Sequence, residues 1–383
     1  MATPVRVFPV SGRRDSHRFI AFPYSLYRDS RYWVAPLRRD QARVFDERKN
    51  PFFAHSRIER FLAFGGAGRV VGRIAAITNG MHLAKYEDRL GFFGFFECVE
   101  EYEVARGLLD AASAWLRAQG MASIRGPVNP SLNETSGLLV GGFDRTPAIL
   151  MPYNPPYYED FLRRYGFERR MTLWAYYGAW KHLNRGRLNR GVAMVERRSP
   201  GLRVRKPDMR RYLEEARTMC RLYNEAFASG WGQVPLTEAE FLAMAKAMRP
   251  ILDPDLVFFL EHQGAPVGFS LSVPDVNSLL RHLPEGRLAP FGFLKLLAYS
   301  RLARPREFRM LLLALLPAYQ RRGLDALLIA RAIEEGRRKG YLAAELSWVM
   351  DDNRVLKNAL EKLGAVRDKE YALFEKKLDS PAA

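Results

Sequence analysis

Cysteine is nearly absent: Cys98 and Cys220 are the only two in 383 residues, far apart and outside any C-x-x-C spacing. That excludes a disulfide framework and a cysteine-rich metal or redox site, and leaves both as reduced core residues. The six histidines, His17, His55, His82, His182, His262 and His282, show no ligand-like spacing, so no metal is expected. No stretch approaches the ~20 uninterrupted apolar residues of a membrane span. The opening MATPVRVFPVSGRRDSHRF breaks every apolar run with charge and lacks the core of a signal peptide, so a cytoplasmic location is expected. G-x-S-x-G, Walker and zinc-finger patterns are also missing, which removes the common hydrolase, nucleotide-hydrolysing and finger readings. Acidic residues are outnumbered 42 to 60 by Lys and Arg, leaving a net charge of +18. Such an excess suits a partner with phosphates: nucleic acid, an anionic membrane surface or a phosphorylated cofactor. It equally suits solvated helix faces, since arginines such as Arg163, Arg164, Arg210, Arg211, Arg337 and Arg338 are scattered through helical segments.

What is present is enough for two packed domains: the length exceeds one ordinary core, and 48% apolar with 27% charged residues is a globular composition. Residues 58–64 and 69–77 read as a hairpin turned at Gly65-Gly66-Ala67-Gly68, a turn signature and not a phosphate loop. A strand at 90–96 precedes a helix over 101–119, whose Val104, Leu108, Leu109, Ala112 and Leu116 form one apolar face before Gly120. Strands at 123–128 and 171–180 flank a short helix near 158–165. Residues 181–206 turn basic and poor in aromatics, and read as a linker or crossover, with 192–195 and 202–204 able to pair as strands. The division expected is a first domain at 1–180 and a second at 207–383. In the second, helices at 208–228 and 237–248 lead to a hairpin at 256–261 and 266–272, then a helix at 291–302 and the strand 310–316. A helix over 324–339, strand 343–349, helix 354–363 and strand 371–376 follow. The order strand, helix, Gly120, strand, helix, Gly166-Phe167 returns as strand, helix, Gly340, strand, helix, Gly364-Ala365, which points to an internal duplication.

The most informative segment is Pro317-Ala318-Tyr319-Gln320-Arg321-Arg322-Gly323-Leu324-Asp325, between an apolar strand and a helix. A turn opening a helix leaves several N–H groups unpaired with the positive end of the dipole behind them, and so favours phosphate. Gly323 permits close approach of an anion, and Arg321 and Arg322 add charge. On the strand 343–349, apolar except for Glu345 and Ser347, alternation puts those two on one face. Apolar surroundings favour a proton-accepting carboxylate at Glu345, and pairing with an arginine is the alternative. Asp351 and Asp352 follow the strand and suit either an amine contact or a turn. Trp348 falls on the opposite face, as core or as pocket wall. Asn129, Asn133, Glu134, Tyr153, Asn154 and Tyr158 lie in loops after strands of the first half, a setting for a substrate pocket and equally for ordinary turn chemistry.

Gln320-Arg321-Arg322-Gly323 resembles the Q/R-x-x-G-x-G/A pyrophosphate turn of the GNAT (GCN5-related N-acetyltransferase) superfamily. Asn353 followed by Ala359-Leu360-Glu361-Lys362-Leu363-Gly364-Ala365 sits where that family has an Asn leading into a helix ending in Y-E-K-x-G-F. Two positions depart from the pattern: Asp325 stands at the third small residue, and Leu360 at the tyrosine that protonates the leaving thiolate. GLDALLIARAIEEGRRKGYLAAELSWVMDDN, with GPVNPSLNETSGLLVGGFD and MPYNPPYY, is similar to a bacterial family of two-GNAT-domain proteins that includes bacterial ceramide synthases.

The resemblance implies an α/β (α+β) chain of two tandem GNAT-like domains, each a mixed, mostly antiparallel twisted sheet flanked by helices. It implies a degenerate first domain, since Phe95-Phe96-Glu97-Cys98 stands where its turn would begin. It also implies acetyl-CoA or a longer acyl-CoA as donor and a small-molecule or lipid amine as acceptor. Leu315, Leu316, Gln320, Arg321, Arg322, Gly323, Leu324 and Asn353 would then hold the donor, Glu345 and Asp352 would serve catalysis, and Asn129, Asn133, Tyr153, Asn154, Tyr158 and Trp348 would line the acceptor site. An aminoacyl-tRNA-dependent ligase and a non-catalytic acyl-CoA or lipid binder are the competing readings, nucleic acid being the less expected partner. Phe291–Leu302 reads either as a helix packed on the sheet or as a lipid-facing element peripheral to an anionic membrane.

Overall fold

The computed structural model describes residues 5–302 and 304–378. The first half of the chain runs β1 (Arg6–Pro9), α1 (Gly12–Leu26), α2 (Arg38–Val44), β2 (Ser56–Phe64), β3 (Val70–Asn79), α3 (Gly80–Tyr86), β4 (Leu90–Cys98), α4 (Tyr102–Ala118), β5 (Ser123–Gly126), the short β6 (Val128–Asn129), β7 (Thr135–Ser136) and β8 (Leu138–Gly141), α5 (Tyr157–Arg164) and β9 (Glu168–Ala179). The second runs α6 (Arg185–Arg198), β10 (Leu202–Arg205), α7 (Tyr212–Ala226), α8 (Glu238–Met248), β11 (Val257–His262), β12 (Ala265–Pro274), α9 (Asn277–Leu280), α10 (Gly292–Leu302), β13 (Glu307–Leu315), α11 (Asp325–Arg338), β14 (Ala343–Met350), α12 (Arg354–Leu363) and β15 (Val366–Lys377). Two compact units result: one holds the chain up to Thr172, Leu279–Tyr299 and Lys369 onward, the other Leu173–Ser278 and Ser300–Asp368.

In the first unit the sheet order is β1-β2-β3-β4-β5-β15, with β8 also on β15. Only β4–β5 is parallel; the other pairs with printed registers are antiparallel. The order in the second is β10-β11-β12-β13-β14-β9, and again one pair, β13–β14, is parallel. This is the mixed, mostly antiparallel sheet with flanking helices, built twice. The halves exchange their last strands: β9 pairs with β14, while β15 pairs with β5.

Helix α4 forms because its apolar residues recur at helical spacing, and Val104, Leu108, Leu109, Ala112 and Leu116 are all fully buried in the first core. In the second unit α11 buries Leu327, Leu328, Ile329 and Ala332 on one face of the sheet with Phe308 and Met310. On the other face, α7 and α8 bury Met219, Leu222, Tyr223 and Phe241 against Phe259 and Phe269. Thr237 and Glu240 close a reciprocal capping box that starts α8. Residues 181–206, expected as a linker or crossover, contain α6 and the edge strand β10. In α6 only Leu188 and Val195 are buried, two turns apart on one face, which is why its arginine-rich sequence hides a packed helix.

Candidate active site

The second sheet opens where its one parallel pair stops. β13 and β14 pair from Glu307↔Ala343 only as far as Met310↔Leu346. Beyond that point β14 pairs with β9 alone, across an irregularity between Leu346 and Val349. β13 stays with β12, but its register slips between Leu271 and Ser272, so that Leu311 is an extra residue. The Leu316 N–H donates to the Val267 carbonyl at 2.9 Å. Antiparallel pairing alternates, so Leu313 and Leu315, opposite Ser270 and Gly268, turn their main-chain N–H and C=O groups away from β12 and into the opening. Directly below Met310 and Leu346 lies an apolar pocket lined also by Ile329, Ile333 and Leu360.

At the end of β13 the chain makes the turn 317–324 and enters α11. Tyr319 and Gln320 donate their N–H groups back to Leu316 and Pro317 at 2.8 and 3.3 Å. Among the described residues, the N–H groups of Arg321, Arg322, Gly323 and Leu324 have no hydrogen-bond partner in the protein. Gly323, at φ +75°, lies in the left-handed region, and so does Arg321 at +60°. A Cβ at Gly323 would meet nothing closer than Val195 Cγ2 at 3.5 Å, so the turn is open on that side. Leu324 is buried and pins the turn to the core, while Arg321 and Arg322 are exposed. Gln320 donates its side-chain amide to the Leu315 carbonyl at 2.8 Å and to that of Ala226 at 3.1 Å, tying the turn to the strand end and to α7. Asp325, the first residue of α11, is half-buried, and burial raises its pKa, which reduces its negative charge beside the turn. The Ala326 N–H donates to the Gly323 carbonyl at 3.1 Å, so the first bond of the helix leaves the four earlier amides for an anion.

Beside the opening lies a buried polar chain. Arg309, opposite Glu345 in the register, donates from Nε to Ser347 Oγ at 2.8 Å and from a terminal nitrogen to the Ser347 carbonyl at 3.1 Å. Ser347 Oγ in turn donates to Glu345 Oε1 at 2.7 Å. Arg309, Glu345 and Ser347 are all at most 4% exposed. The guanidinium also sits 5.4 Å from the centre of the Trp348 ring, whose buried Nε1–H has no partner. A carboxylate, a hydroxyl and a fixed cation in sequence make a path along which a proton can be accepted and the resulting charge steadied.

The first unit repeats the frame but closes it. β4 and β5 pair only from Leu90↔Ser123 to Phe92↔Arg125. A second slip in register lies between Arg73 and Ala75, and Phe95 takes φ +50°. Here the opening is filled from within: Asn129 Oδ1 accepts the Phe95 N–H at 2.6 Å, and the Val128 carbonyl lies 1.6 Å from where a Cβ on Gly94 would be. At the strand end Glu97 accepts from the Tyr27 hydroxyl, from that of Tyr158 at 3.1 Å, and faces Arg73 at 3.8 Å. Burial pushes the Glu97 carboxyl up to about 7, against the lowering effects of Arg73 and the two tyrosines.

The remaining expected site residues divide by unit. Asn353 caps α12, accepting the Leu356 N–H at 3.2 Å. Asp352 is exposed in the turn, and the neighbouring Asp351 is held below its usual range by Lys357 and Trp174. In the first unit, Asn154 is buried and spans the main chain of Leu139, donating to its carbonyl at 3.0 Å and accepting its N–H at 2.7 Å. Tyr158 is fully buried and accepts the Cys98 N–H at 2.6 Å. Tyr153 meets the Tyr27 ring edge-on at 5.7 Å, and the Asn133 N–H donates to Ser131 at 3.3 Å. Leu313 and Arg309 were missing from the sequence reading, and Ser347 was named there only as sharing a face with Glu345. Ser347 was visible by alternation with Glu345, whereas Leu313 and Arg309 depend on a register no motif marks.

Known proteins resemble this chain in sequence and in fold. Residues 216–365 match the Acetyltransferase (GNAT) family. The chain is 33% identical over 381 residues to the bacterial ceramide synthase of Caulobacter vibrioides (strain NA1000 / CB15N), covering 97% of each. It is 32% identical over 374 residues to Protein YghO of Escherichia coli (strain K12), covering 96% of this chain and 94% of that one. Among solved structures, a tandem GNAT protein from the clavulanic acid biosynthesis pathway superposes with TM-score 0.58 at 12% identity, over 99% of this chain and 100% of that one. A GCN5-related N-acetyltransferase from Sphaerobacter thermophilus superposes with TM-score 0.53 at 12% identity, over 99% and 97%. At such identities the structural likeness speaks for the fold.

Proposed function

For a chain that belongs to the GNAT superfamily, in the tandem-domain group that includes bacterial ceramide synthase, we propose transfer of an acyl group from a coenzyme A thioester to a lipid amine. The observation that carries this reading is the open turn: four amides without a protein partner and two exposed arginines follow one another directly ahead of a helix N-terminus at the end of the splayed strand. A pyrophosphate is the ligand such a spot favours. The main-chain groups of Leu313 and the N–H of Leu315 would pair with the pantetheine amides, and an N–H there would steady the thioester oxygen as it becomes an oxyanion. Leu316, expected in this role, has its amide committed to Val267. The apolar pocket under Met310 and Leu346 suits a hydrocarbon segment of the donor.

In the transfer, the amine nitrogen forms a bond to the acyl carbon, the carbon–sulfur bond breaks, and the nitrogen loses a proton. Glu345, relayed by Ser347, accepts it; Asp352 is exposed and better placed to meet a cationic acceptor as it arrives. The thiolate of a group with pKa about 8.5 departs near neutral pH with little help from an acid. That bears on Leu360, which is buried in a small core with Tyr176 and Val349 and contributes no acid. The same Leu360 favours a second reading, a protein that binds acyl-CoA without turning it over. Calorimetric titration with free CoA, acetyl-CoA and a long-chain acyl-CoA, followed by thiol release on adding long-chain amines, tests both. Release with an amine supports the transferase, tight binding with no release under any amine supports the binder, and no binding of any CoA species removes both.

The likeness to bacterial ceramide synthase motivates a sphingoid-type acceptor, a long-chain amine. A cytoplasmic protein that meets its acceptor at the inner membrane surface fits that choice. Among the described residues no helix is long and apolar enough to cross a membrane.

A further inference from the structure

Between β12 and β13 the chain leaves the second unit, and residues Leu279–Tyr299 pack as part of the first. The frame of this excursion is firmly built. Arg38 donates its N–H to the Gly286 carbonyl at 2.9 Å and its guanidinium to Glu285 at 2.9 Å. Gly286 fits so closely that a Cβ would lie 2.2 Å from the Pro36 carbonyl, and Gly292 so closely that one would lie 2.1 Å from that of Arg287. Leu283 is buried, and His282 stacks on Tyr299 with centroids 3.8 Å apart. A segment fixed this well should bury its large apolar side chains. It does the reverse: Phe291 is 66% exposed, Phe293 63%, Leu294 59% and Leu297 40%.

Taking ~200 Å² for a fully exposed side chain of this size, these fractions sum to roughly 450 Å² of apolar surface, comparable to the largest apolar patch of a typical monomer, which is often functional. Its charge setting selects the partner. Arg281, Arg287 and Lys295 are exposed within the same segment, and the sole acid there, Glu285, is taken up by Arg38. Exposed aromatic and leucine side chains in one short segment with exposed cations that have no acidic partner among the described residues match a bilayer, which offers anionic head groups above hydrocarbon. A protein partner matched to the same patch would need an apolar groove rimmed with acid; the net charge of +18 favours the extended anionic surface. We propose that Phe291, Phe293, Leu294 and Leu297 with Arg287 and Lys295 form a docking surface that inserts into the head-group layer of an anionic membrane. The inference does not depend on the acyl-transfer reading, since the first unit carries the patch and the second the turn.

The test is co-sedimentation of the full chain with vesicles of phosphatidylcholine alone and with 30% phosphatidylglycerol. Binding is expected to the anionic vesicles and to fall at least tenfold in the F291S/F293S double variant, whose side chains are exposed and carry little of the fold. Arg287→Glu with Lys295→Glu should reduce it further than loss of two cations alone, each worth roughly fivefold, and raised salt should weaken the wild type. Equal sedimentation of wild type and both variants would overturn the proposal, as would failure of the wild type to bind anionic vesicles. So would a dimer in solution that the double serine variant dissociates, because the patch would then be covered by a second copy.

Discussion

Glu97 provides the sharpest thermodynamic test of how the first unit is built. Its carboxyl rises from 4.5 to about 7 because burial disfavours the charge more than Arg73, Tyr27 and Tyr158 favour it. An acid whose pKa is raised on folding contributes stability below its unfolded value, and that contribution is lost as pH rises through the folded value. The window is therefore pH 4.5 to about 7. At 1.36 kcal/mol per unit the loss is about 3 kcal/mol, with little discount for screening because the side chain is only 14% exposed. Glu97→Gln mimics the protonated acid and removes the dependence. His82, whose burial pushes its pKa below 6.5, acts in the opposite sense on the acid side, losing stability as pH falls. It is common to both proteins and cancels in the difference. Urea unfolding of the two proteins from pH 4.5 to 8, read at the transition of the first unit and compared at equal m-value, should show the glutamine variant gaining about 3 kcal/mol on the wild type across the series. Parallel curves would refute the assignment of Glu97 as a carboxylate held largely neutral by its surroundings.

Three further outcomes are expected. Gly323→Trp should leave the fold intact, at a cost of about 1–2 kcal/mol for a side chain in the left-handed region, yet abolish CoA binding in calorimetry; unaltered affinity would remove the turn from the site. Glu345→Gln should lower turnover by roughly 10²–10⁴-fold with CoA affinity unchanged, and full activity would take the carboxylate out of the chemistry. Asn129→Ala should destabilise the first unit by about 1–3 kcal/mol by leaving the Phe95 N–H buried without a partner, and a neutral effect in chemical denaturation would mean that water replaces the amide.

Much of this architecture was legible because most elements obey one local rule each. The face of α4 at 104, 108, 109, 112 and 116 is fully buried, and Gly120, Gly340 and Gly364 follow helices as positive-φ stops. The turn between strand and helix at 317–324 was legible too, since a glycine and two arginines between an apolar strand and a helix mark it locally. What escaped depends on distant pairing. The exchange of β9 and β15 is invisible because each reads as the natural last strand of its own half, and either partner satisfies the same alternation. Leu313 was missed, and Leu316 named beside Leu315, because which amides face the opening is set by the pairing register with β12, which no motif marks. Asn129, Asn154 and Tyr158 looked like pocket residues since polar groups in loops after strands usually are; here buried main-chain groups of Phe95, Leu139 and Cys98 needed partners and took them.

That last point explains how one fold, used twice, carries an open site once. Where a parallel pair splays, main-chain polar groups lose their ladder partners, and leaving them buried and unpaired costs roughly 1–3 kcal/mol each. The first unit removes the cost from within, the Asn129 side chain supplying the bond that β5 no longer makes. In the second unit the strand past Leu346 offers no such amide: Asn353, the nearest asparagine, is spent on capping α12. Leu313 and Leu315 therefore face the gap, and the amides of 321–324, without a protein partner among the described residues, follow at the end of the same strand. The Leu315 carbonyl already accepts the Gln320 side chain; a molecule that carries amides along its length and phosphates at its end would pair with the main-chain groups that remain, which is why the proposed CoA site belongs in the second unit and not the first.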